Sequence, residues 1–438
     1  MGRKSPPPVA RPTGGRRIVE LGKDLLILLL LCSAAILAWQ TPMASRFKGW
    51  VAGPEQEEVA PALERSQLLE PYAVAVRNSL GLYGASYDAV GVERAFERLA
   101  PFFGEALTAA GGGGRTLAEE EWQERLARPG AYCVFQSPLP MELLAGWLSE
   151  EGETALAGQA GALLLSWGGQ EMELCWRDGE VYYAARTAVA YEGYLEPVLE
   201  EFSPNGAAYA GALAGGEEVF GRLESDVLVG MTAPQAAAYT AASPDFLGDS
   251  GALEQLLSAL AFQSGAAYTD ASGGLAINEG GDRLRISPTG TVTFYAGEEE
   301  RYHVPGSEET VPVLEAALAA GDLLYRVAGP WRGEGEYVLT GAEAVEGGWQ
   351  LTFHTRLAGV PVITGEEGWC ARFVVSGRQI RTFAVQVRGY TAARGNFAVP
   401  PERLAAAAMG ALPQAGGRLM LAYTDGGGTL SAGWVARD

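Results

Sequence analysis

The residues that come closest to a catalytic motif are Gly248-Asp249-Ser250-Gly251, a string that surrounds the nucleophilic serine of one protease family. That chemistry needs a histidine to accept the serine proton, and in that family the histidine precedes the serine. The only histidines in the sequence, His303 and His354, both follow it. We therefore predict that Asp249 or Ser250 caps a helix carrying the leucines at 253, 256, 257 and 260, and that the protein is not an enzyme.

Metal and cofactor sites are not predicted either. Two histidines that are 51 residues apart, without clustered cysteines or an Asp-x-Asp pattern, offer a transition metal few ligands. His354 lies in an alternating stretch over residues 350–355, with Leu351 and Phe353 on the opposite side, so we expect a partly covered surface histidine. The glycines at 111–114 and 333–335 lack the other residues of phosphate and dinucleotide motifs. We predict loops there and no cofactor.

The charge of the chain excludes nucleic acid as a partner. The net charge is -21, and the first 24 residues carry six basic groups against two acidic ones, so residues 25–438 sum to -25. A body this acidic repels phosphate backbones. A solvated acidic surface is the simplest interpretation.

The cysteines indicate buried free thiols. Cys32 lies in an apolar segment, whereas Cys133, Cys175 and Cys370 stand singly in strand-like runs. No pair has the C-x-x-C spacing of a zinc or redox site. One disulfide between Cys133 and Cys175, with a thiol left over, is the alternative.

Residues 25–39 predict a membrane anchor. They contain no charge, and with the flanking residues 18–23 they approach the roughly 20 residues that span a bilayer. The predicted anchor residues are Leu25, Leu26, Ile27, Leu28, Leu29, Leu30, Leu31, Cys32, Ser33, Ala34, Ala35, Ile36, Leu37, Ala38 and Trp39. A cleaved secretory signal is the alternative, but no good small-x-small cleavage site follows.

The basic residues predict the orientation of that anchor. Six of them precede the apolar segment, and only Arg46 and Lys48 follow it closely. The positive-inside rule therefore places the N-terminus in the cytoplasm and the large remainder outside the cell membrane, as a single-pass protein.

The rest of the chain predicts several domains, because single cores rarely grow past about 250–300 residues. We predict a cytoplasmic tail (1–24), the anchor (25–42), a linker (43–62), and α+β domains at 63–203, 204–328 and 329–438. In the first domain, apolar residues from Val92 to Leu107 repeat with helical spacing around Pro101, which should kink or divide the helix. Thr116 and Glu119 have the spacing of a capping box.

Three stretches repeat one plan, in which two alternating strands flank a tight turn and an amphipathic helix follows. The turns are at 178–179, 288–290 and 376–377, and the helices at 194–202, 311–320 and 401–409. The second and third stretches indicate an internal duplication. The predicted fold class is therefore α+β, with one membrane helix and antiparallel sheets that carry helices on one face.

Motifs at both ends of the chain resemble those of the YycH/YycI family. The C-terminal region contains Gly359, Pro361 and Val362 in one strand, Tyr423 in a late strand and Trp434 in the final one. The segment 23–40, and the strings at 121–122 and 137–140, are similar to the anchor and first domain of YycH-like proteins. The resemblance implies that these five residues are structural positions and that no catalytic residue is present.

The same resemblance implies a function and partners. Members of that family are single-pass extracytoplasmic regulators of an essential sensor histidine kinase of a two-component system in Gram-positive bacteria. The expected partners are thus the membrane, a sensor kinase and a related single-pass regulator. The alternative is a membrane-tethered binding module for an envelope peptide or glycan, with an aromatic cleft near Trp331, Trp349 and Trp369.

Overall fold

The computed structural model describes residues 63–437, except positions 64, 87–88, 112, 150–151, 264–266, 299–300, 307–309, 366 and 413–416. From Leu63 onward the chain forms one compact unit. None of the helices in this part of the chain is both long and apolar enough to cross a membrane. The predicted anchor lies outside the described residues.

The first sheet has seven strands in the order β2-β1-β4-β5-β6-β7-β3, and all neighbours are antiparallel. Its strands are β1 (Ala73–Arg77), β2 (Tyr83–Ser86), β3 (Arg115–Leu117), β4 (Gly130–Pro140), β5 (Gln159–Trp167), β6 (Met172–Asp178) and β7 (Val181–Thr187). The predicted hairpin around residues 178–179 is confirmed, because Asp178 pairs with Val181.

The large sheet has eleven strands in the order β11-β12-β13-β14-β19-β18-β16-β17-β21-β22, with β15 paired to β16. Its strands are β11 (Ala267–Thr269), β12 (Leu275–Glu279), β13 (Asp282–Ile286), β14 (Thr291–Tyr295), β15 (Glu336–Val345), β16 (Gly348–Leu357), β17 (Val360–Thr364), β18 (Ala371–Ser376), β19 (Gln379–Gln386), β21 (Arg418–Asp425) and β22 (Leu430–Arg437). Two short pairs complete the strands: β8 (Ala208–Tyr209) with β9 (Leu228–Val229), and β10 (Ala236–Ala242) with β20 (Gly389–Phe397).

The other two predicted hairpins lie side by side in this sheet. β13 and β14 form one, β18 and β19 form the other, and β14 pairs with β19 in antiparallel fashion. Strands on both sides of residue 328 therefore share one sheet, although the division into domains and the duplication stay predictions. One pair departs from the expected antiparallel pattern, because β17 and β21 run parallel.

The α-helices of the described residues are α1 (Arg65–Leu68), α2 (Ala89–Ala109), α3 (Glu119–Leu126), α4 (Met141–Leu148), α5 (Glu196–Glu200), α6 (Ala210–Leu213), α7 (Ser250–Ala259), α8 (Val313–Ala328) and α9 (Glu402–Gly410). The mixture of helices and mainly antiparallel sheets confirms the predicted α+β class. The helix predicted at 401–409 matches α9, and the one predicted at 311–320 extends to Ala328.

The prediction that helices cover one face of each sheet is wrong for the first sheet. Leu99 of α2 and Leu144 of α4 pack on one face, whereas Trp122 of α3 packs on the other. Both faces need a cover because the central strands are apolar on both sides; Leu163 of β5 lies in one cluster and Leu164 in the other.

Two local predictions at helices need correction. α2 continues through Pro101 as one element, so of the two expectations the division is wrong, and the kink stays a prediction. Its apolar face is buried on both sides of the proline, from Val92 to Leu107, and this packing offsets the lost hydrogen bond, which costs about 3 kcal/mol. Thr116 is not a cap, because it pairs with Tyr183 in the sheet, and the side chain of Glu121 accepts the Ala118 N–H at 3.1 Å instead.

The serine of the protease-like string lies at the start of a capped helix, as predicted. The carboxylate of Asp249 accepts the backbone N–H groups of Gly251 at 2.9 Å and of Ala252 at 3.2 Å. Behind this cap, Leu256 and Leu257 of α7 are buried. The string therefore has a structural explanation.

Because this cap satisfies two N–H groups, we expect Asp249→Ala to lower the free energy of unfolding by about 1 kcal/mol. Ser250→Ala is the matched control and should change it by less than about 0.5 kcal/mol. Chemical denaturation of the two variants gives the comparison. Equal losses would show that Asp249 does not act as the cap.

The predictions for cysteine and histidine side chains are confirmed. Cys133, Cys175 and Cys370 are free and buried. Burial raises the pKa of Cys175 and of Cys370 to about 12, so both stay protonated at neutral pH. His354 is partly covered in β16, and its Nδ1 lies 2.6 Å from Oγ1 of Thr340.

Candidate functional site

Leu63 and residues 65–72, which we call the lead-in segment, are held by contacts with distant parts of the chain. The Leu63 N–H donates to Oδ1 of Asp322 in α8 at 2.5 Å, and Arg65 donates to the carbonyl oxygen of Trp147 at 3.1 Å. Gly321 lets α8 approach, since a Cβ there would lie 2.5 Å from Leu63 Cδ2. Leu68 is fully buried. The segment is thus part of the core rather than a loose tether.

A buried arginine of the large sheet holds the middle of this segment. Arg356, at the end of β16, has 1% of its side chain exposed. It donates to the Glu70 carboxylate at 2.9 Å, to the Glu70 carbonyl oxygen at 3.0 Å and to the Pro71 carbonyl oxygen at 3.2 Å. Burial raises the pKa of Glu70 and lowers that of Arg356 despite their attraction. Removing either partner leaves the other in a poorly hydrated site.

The last residue of the segment reaches a second strand of the large sheet. The Tyr72 hydroxyl accepts the backbone N–H of Leu421 in β21 at 2.7 Å. The next residue, Ala73, opens β1 of the first sheet. Tyr72 therefore connects the lead-in segment, the first sheet and β21.

Beside Tyr72 lies a cluster of buried and partly buried charged and polar side chains, which we call the junction cluster: Tyr132, Arg177, Glu224, Asp226 and Arg418. The Tyr132 hydroxyl donates to Oδ2 of Asp226 at 2.6 Å, and Arg418 donates to the same carboxylate. Arg418 also donates to Glu224 at 2.7 Å, and Arg177 donates to Glu224 as well. Two guanidinium groups thus balance two carboxylates at a site contributed by β4, β6, the 224–226 loop and β21.

The ionisation of the junction cluster follows from these contacts. Burial alone would raise the pKa of Asp226, but Arg418 and Arg177 lower it below its ordinary value. Burial, reinforced by Asp226, raises the pKa of Tyr132 above its ordinary value, so the phenol stays protonated and donates. Burial opposes the charge of Arg418, yet Asp226 raises its pKa above the usual range. At neutral pH Asp226 and Arg418 are therefore both charged and form a salt bridge, to which neutral Tyr132 adds a hydrogen bond.

A cavity of about 480 Å³ opens against the junction cluster, and we call it the junction cavity. Its wall contains Tyr72, residues 134–138 of β4, Glu224, residues 226–228 and residues 418–420 of β21, with Glu180 and Glu402. Carboxylates outnumber guanidinium groups by four to two in this wall. Glu402 is buried and accepts the Gly230 N–H at 3.0 Å. The cavity has the size of small-ligand pockets, roughly 300–1,000 Å³.

The family-like motif residues lie in the last strands of the large sheet. Leu357 and Val360 pair across a two-residue turn in which Gly359 has φ of 80°, a conformation that favours glycine. Val362 pairs with Tyr423, and both are buried. Val362 and Tyr423 belong to one apolar cluster, and Pro361 pairs with Arg356 in the β16–β17 hairpin.

The remaining two members of that motif close the same region by hydrogen bonds. The Tyr423 hydroxyl donates to the Ala237 carbonyl oxygen at 2.8 Å, and the Trp434 indole N–H donates to the Pro400 carbonyl oxygen at 2.8 Å. In the structure, all five residues have packing or turn roles.

The other residues singled out from the sequence do not converge. Ser250, His303 and His354 lie on three separate elements, and the described residues contain no group of three or more potential metal ligands. The three tryptophans of the expected aromatic cleft contact different residues: Trp331 packs on Phe246, Trp349 donates to Val311, and Trp369 donates to Glu367. None of them lines the junction cavity.

Neither the lead-in contacts nor the junction cluster was predicted. Arg356 and Glu70 are 286 positions apart, and Asp226 and Arg418 are 192 positions apart. Arg356 lies on the same side of the alternating strand as Gln350, Thr352 and His354, so the pattern predicts a solvent-facing arginine and gives no sign of the buried ion pair.

Comparisons with known proteins give one structural likeness. No protein-family model and no curated protein matches the sequence. Among solved structures, the chain is similar to the crystal structure of YycH from Bacillus subtilis, with a TM-score of 0.48 and 9% sequence identity. The similarity covers 85% of this chain and 95% of that one.

Proposed function

We propose that the protein is a non-enzymatic, single-pass membrane regulator that modulates a two-component sensor histidine kinase. Its N-terminus lies in the cytoplasm, and its folded part lies outside the membrane. The apolar residues 25–39, the charge asymmetry around them and the family-like motif at the C-terminal end support this proposal. A related single-pass regulator is a second partner in the proposal.

The observation that carries the proposal is the attachment of the lead-in segment to the rest of the fold. This segment is the described part of the chain nearest in sequence to the predicted anchor. Arg356 of β16 and Leu421 of β21 bind it through polar contacts, and its residues Leu68 and Leu69 are buried. In this proposal, these contacts give a change in the large sheet a physical route to the chain that precedes the segment.

An anchor also gives weak contacts a functional effect. Two proteins held in one bilayer meet at a high effective concentration, so a complex that is weak in solution can form there. Packing between membrane helices depends on small residues and shape, because lipid already satisfies apolar side chains. The Ser33, Ala34 and Ala35 sequence provides small residues of this kind in the predicted anchor.

In-cell crosslinking tests this proposal. A photoreactive residue at Ala34 should capture a sensor kinase, identified by mass spectrometry, because the helices pack there. The same probe at Tyr295, an exposed residue of β14, is the matched control for expression and reactivity. Capture of no kinase from position 34, with normal membrane abundance, would count against a helix contact.

A further inference from the structure

One wall of the junction cavity is a stretch of β4 backbone in which the regular strand pairing is interrupted. β4 pairs with β5 up to Val134 and again from Leu139, and the four residues between them face only Gly161. Over the same four residues β1 provides no partner, since its pairing with β4 begins at Val134. All four, from Phe135 to Pro138, line the cavity. Peptide groups in such an irregular stretch can bond to an added chain.

Another part of the cavity wall is a strand edge. Among the described strands, β21 pairs with β22 along its whole length, but with β17 only over Tyr423–Asp425. The N–H of Leu421 points away from β22, since it donates to Tyr72. Alternation along an antiparallel strand gives Leu419, which lines the cavity, the same orientation. An edge with outward N–H and C=O groups can accept an extended peptide as an added strand.

The charge of the cavity selects the kind of peptide. Arg177 and Arg418 are engaged by the carboxylates of Glu224 and Asp226, so the excess negative charge comes from Glu180 and Glu402. Glu402 is buried, whereas Glu180 is exposed at the rim of the cavity. A basic side chain of a bound peptide would meet Glu180 first.

We propose that the junction cavity binds an extended peptide segment of another protein, with a basic side chain placed at Glu180. Binding of this kind needs no kinase, so its failure and that of the proposed regulatory function can be told apart. A bound segment would also touch Tyr72, and through it the lead-in segment.

The test uses the full-length protein in phosphatidylcholine nanodiscs, which carry no net charge to attract the probe. The probe is a fluorescent blocked pentapeptide, Ala-Lys-Val-Lys-Ala, and fluorescence anisotropy measures its binding. We expect saturable binding at least tenfold tighter than that of the matching peptide with glutamates. N-methylation of its central amide should weaken binding at least tenfold, because an added strand needs that N–H.

Three variants test whether the peptide binds in the junction cavity or is attracted to the acidic protein in general. Ser137→Trp fills the cavity and should weaken binding at least tenfold, and Glu180→Lys should do so without changing the interior. Glu254→Lys makes the same charge change on an exposed face of α7 and should alter binding by less than twofold. The proposal is overturned if the wild type does not bind, if Glu254→Lys weakens binding as much as Glu180→Lys, or if spermidine displaces the peptide at equal concentration.

Discussion

Replacing Asp226 by alanine is expected to lower the free energy of unfolding by about 3–5 kcal/mol, the usual cost of breaking a buried ion pair from one side. The side chain of Asp226 is fully buried, and it accepts from Tyr132 and Arg418. Its loss leaves Arg418 and Arg177 facing each other with one carboxylate, Glu224, between them. Chemical denaturation measures the change.

Two comparisons make this result specific. Glu180→Ala, at the exposed rim of the same cavity, should change stability by less than about 0.5 kcal/mol. Asp226→Ala combined with Arg418→Met should cost less than the two single losses added together, because the groups act as one unit. Additive losses would show that Asp226 and Arg418 do not stabilise each other.

The junction cluster should also make the stability of the protein depend on pH. Because the folded-state pKa of Asp226 is below its unfolded value of about 3.9, folding releases protons in this range. The stabilisation that ionised Asp226 provides is fully present above its unfolded-state pKa. It is lost as the pH falls through the folded-state pKa. Wild type should therefore lose more stability than Asp226→Asn on acidification below about pH 4.

Replacing Arg356 by methionine is expected to cost about 2–3 kcal/mol, since the charge-assisted hydrogen bonds to Glu70 are lost and two carbonyl oxygens lose their donor. The methionine keeps the apolar contacts of the side chain. The larger effect should be local: backbone amides of residues 65–70 should exchange with deuterium faster, while those of β5 keep their protection.

Arg372→Met is the matched control for that variant. Arg372 lies on the neighbouring strand β18, pairs with Thr352 of β16, and contacts Glu367 with 39% of its side chain exposed. Its loss should change stability by less than about 1 kcal/mol and leave exchange of residues 65–70 unaltered. Faster exchange of that segment in Arg372→Met would mean that general weakening of the sheet, rather than the lost anchor at Glu70, releases the segment.

Local features of this fold could be predicted from the sequence because their causes lie within a few residues. The 288–290 and 376–377 turns are flanked by alternating strands, and the Asp249 cap precedes an apolar helix. Burial of the three cysteines followed from their place in apolar strands. In each case propensity, period and turn chemistry agree within one short window.

The site could not be predicted in this way, because distant segments build it. Asp226 lies in a loop without periodicity and gains its partners from β4, β6 and β21. Pro101 and Thr116 show the reverse effect, in which packing and strand pairing override a local rule. Residues 25–39, on which the regulatory proposal depends, lie outside the described part of the chain.

Kinase-dependent transcription with an exchanged anchor tests the central claim most directly. Residues 25–39 are replaced by an unrelated single-pass segment with the flanking charges kept, and Ala34→Ile with Ala35→Ile provides a smaller change of the same surface. Because a regulator that packs on a kinase helix needs this helix and a tethered binding module needs any anchor, we expect normal membrane abundance with altered transcription in both variants. Equal transcription from native and exchanged anchors, with a change only when residues 63–438 are removed, would contradict a contact within the membrane.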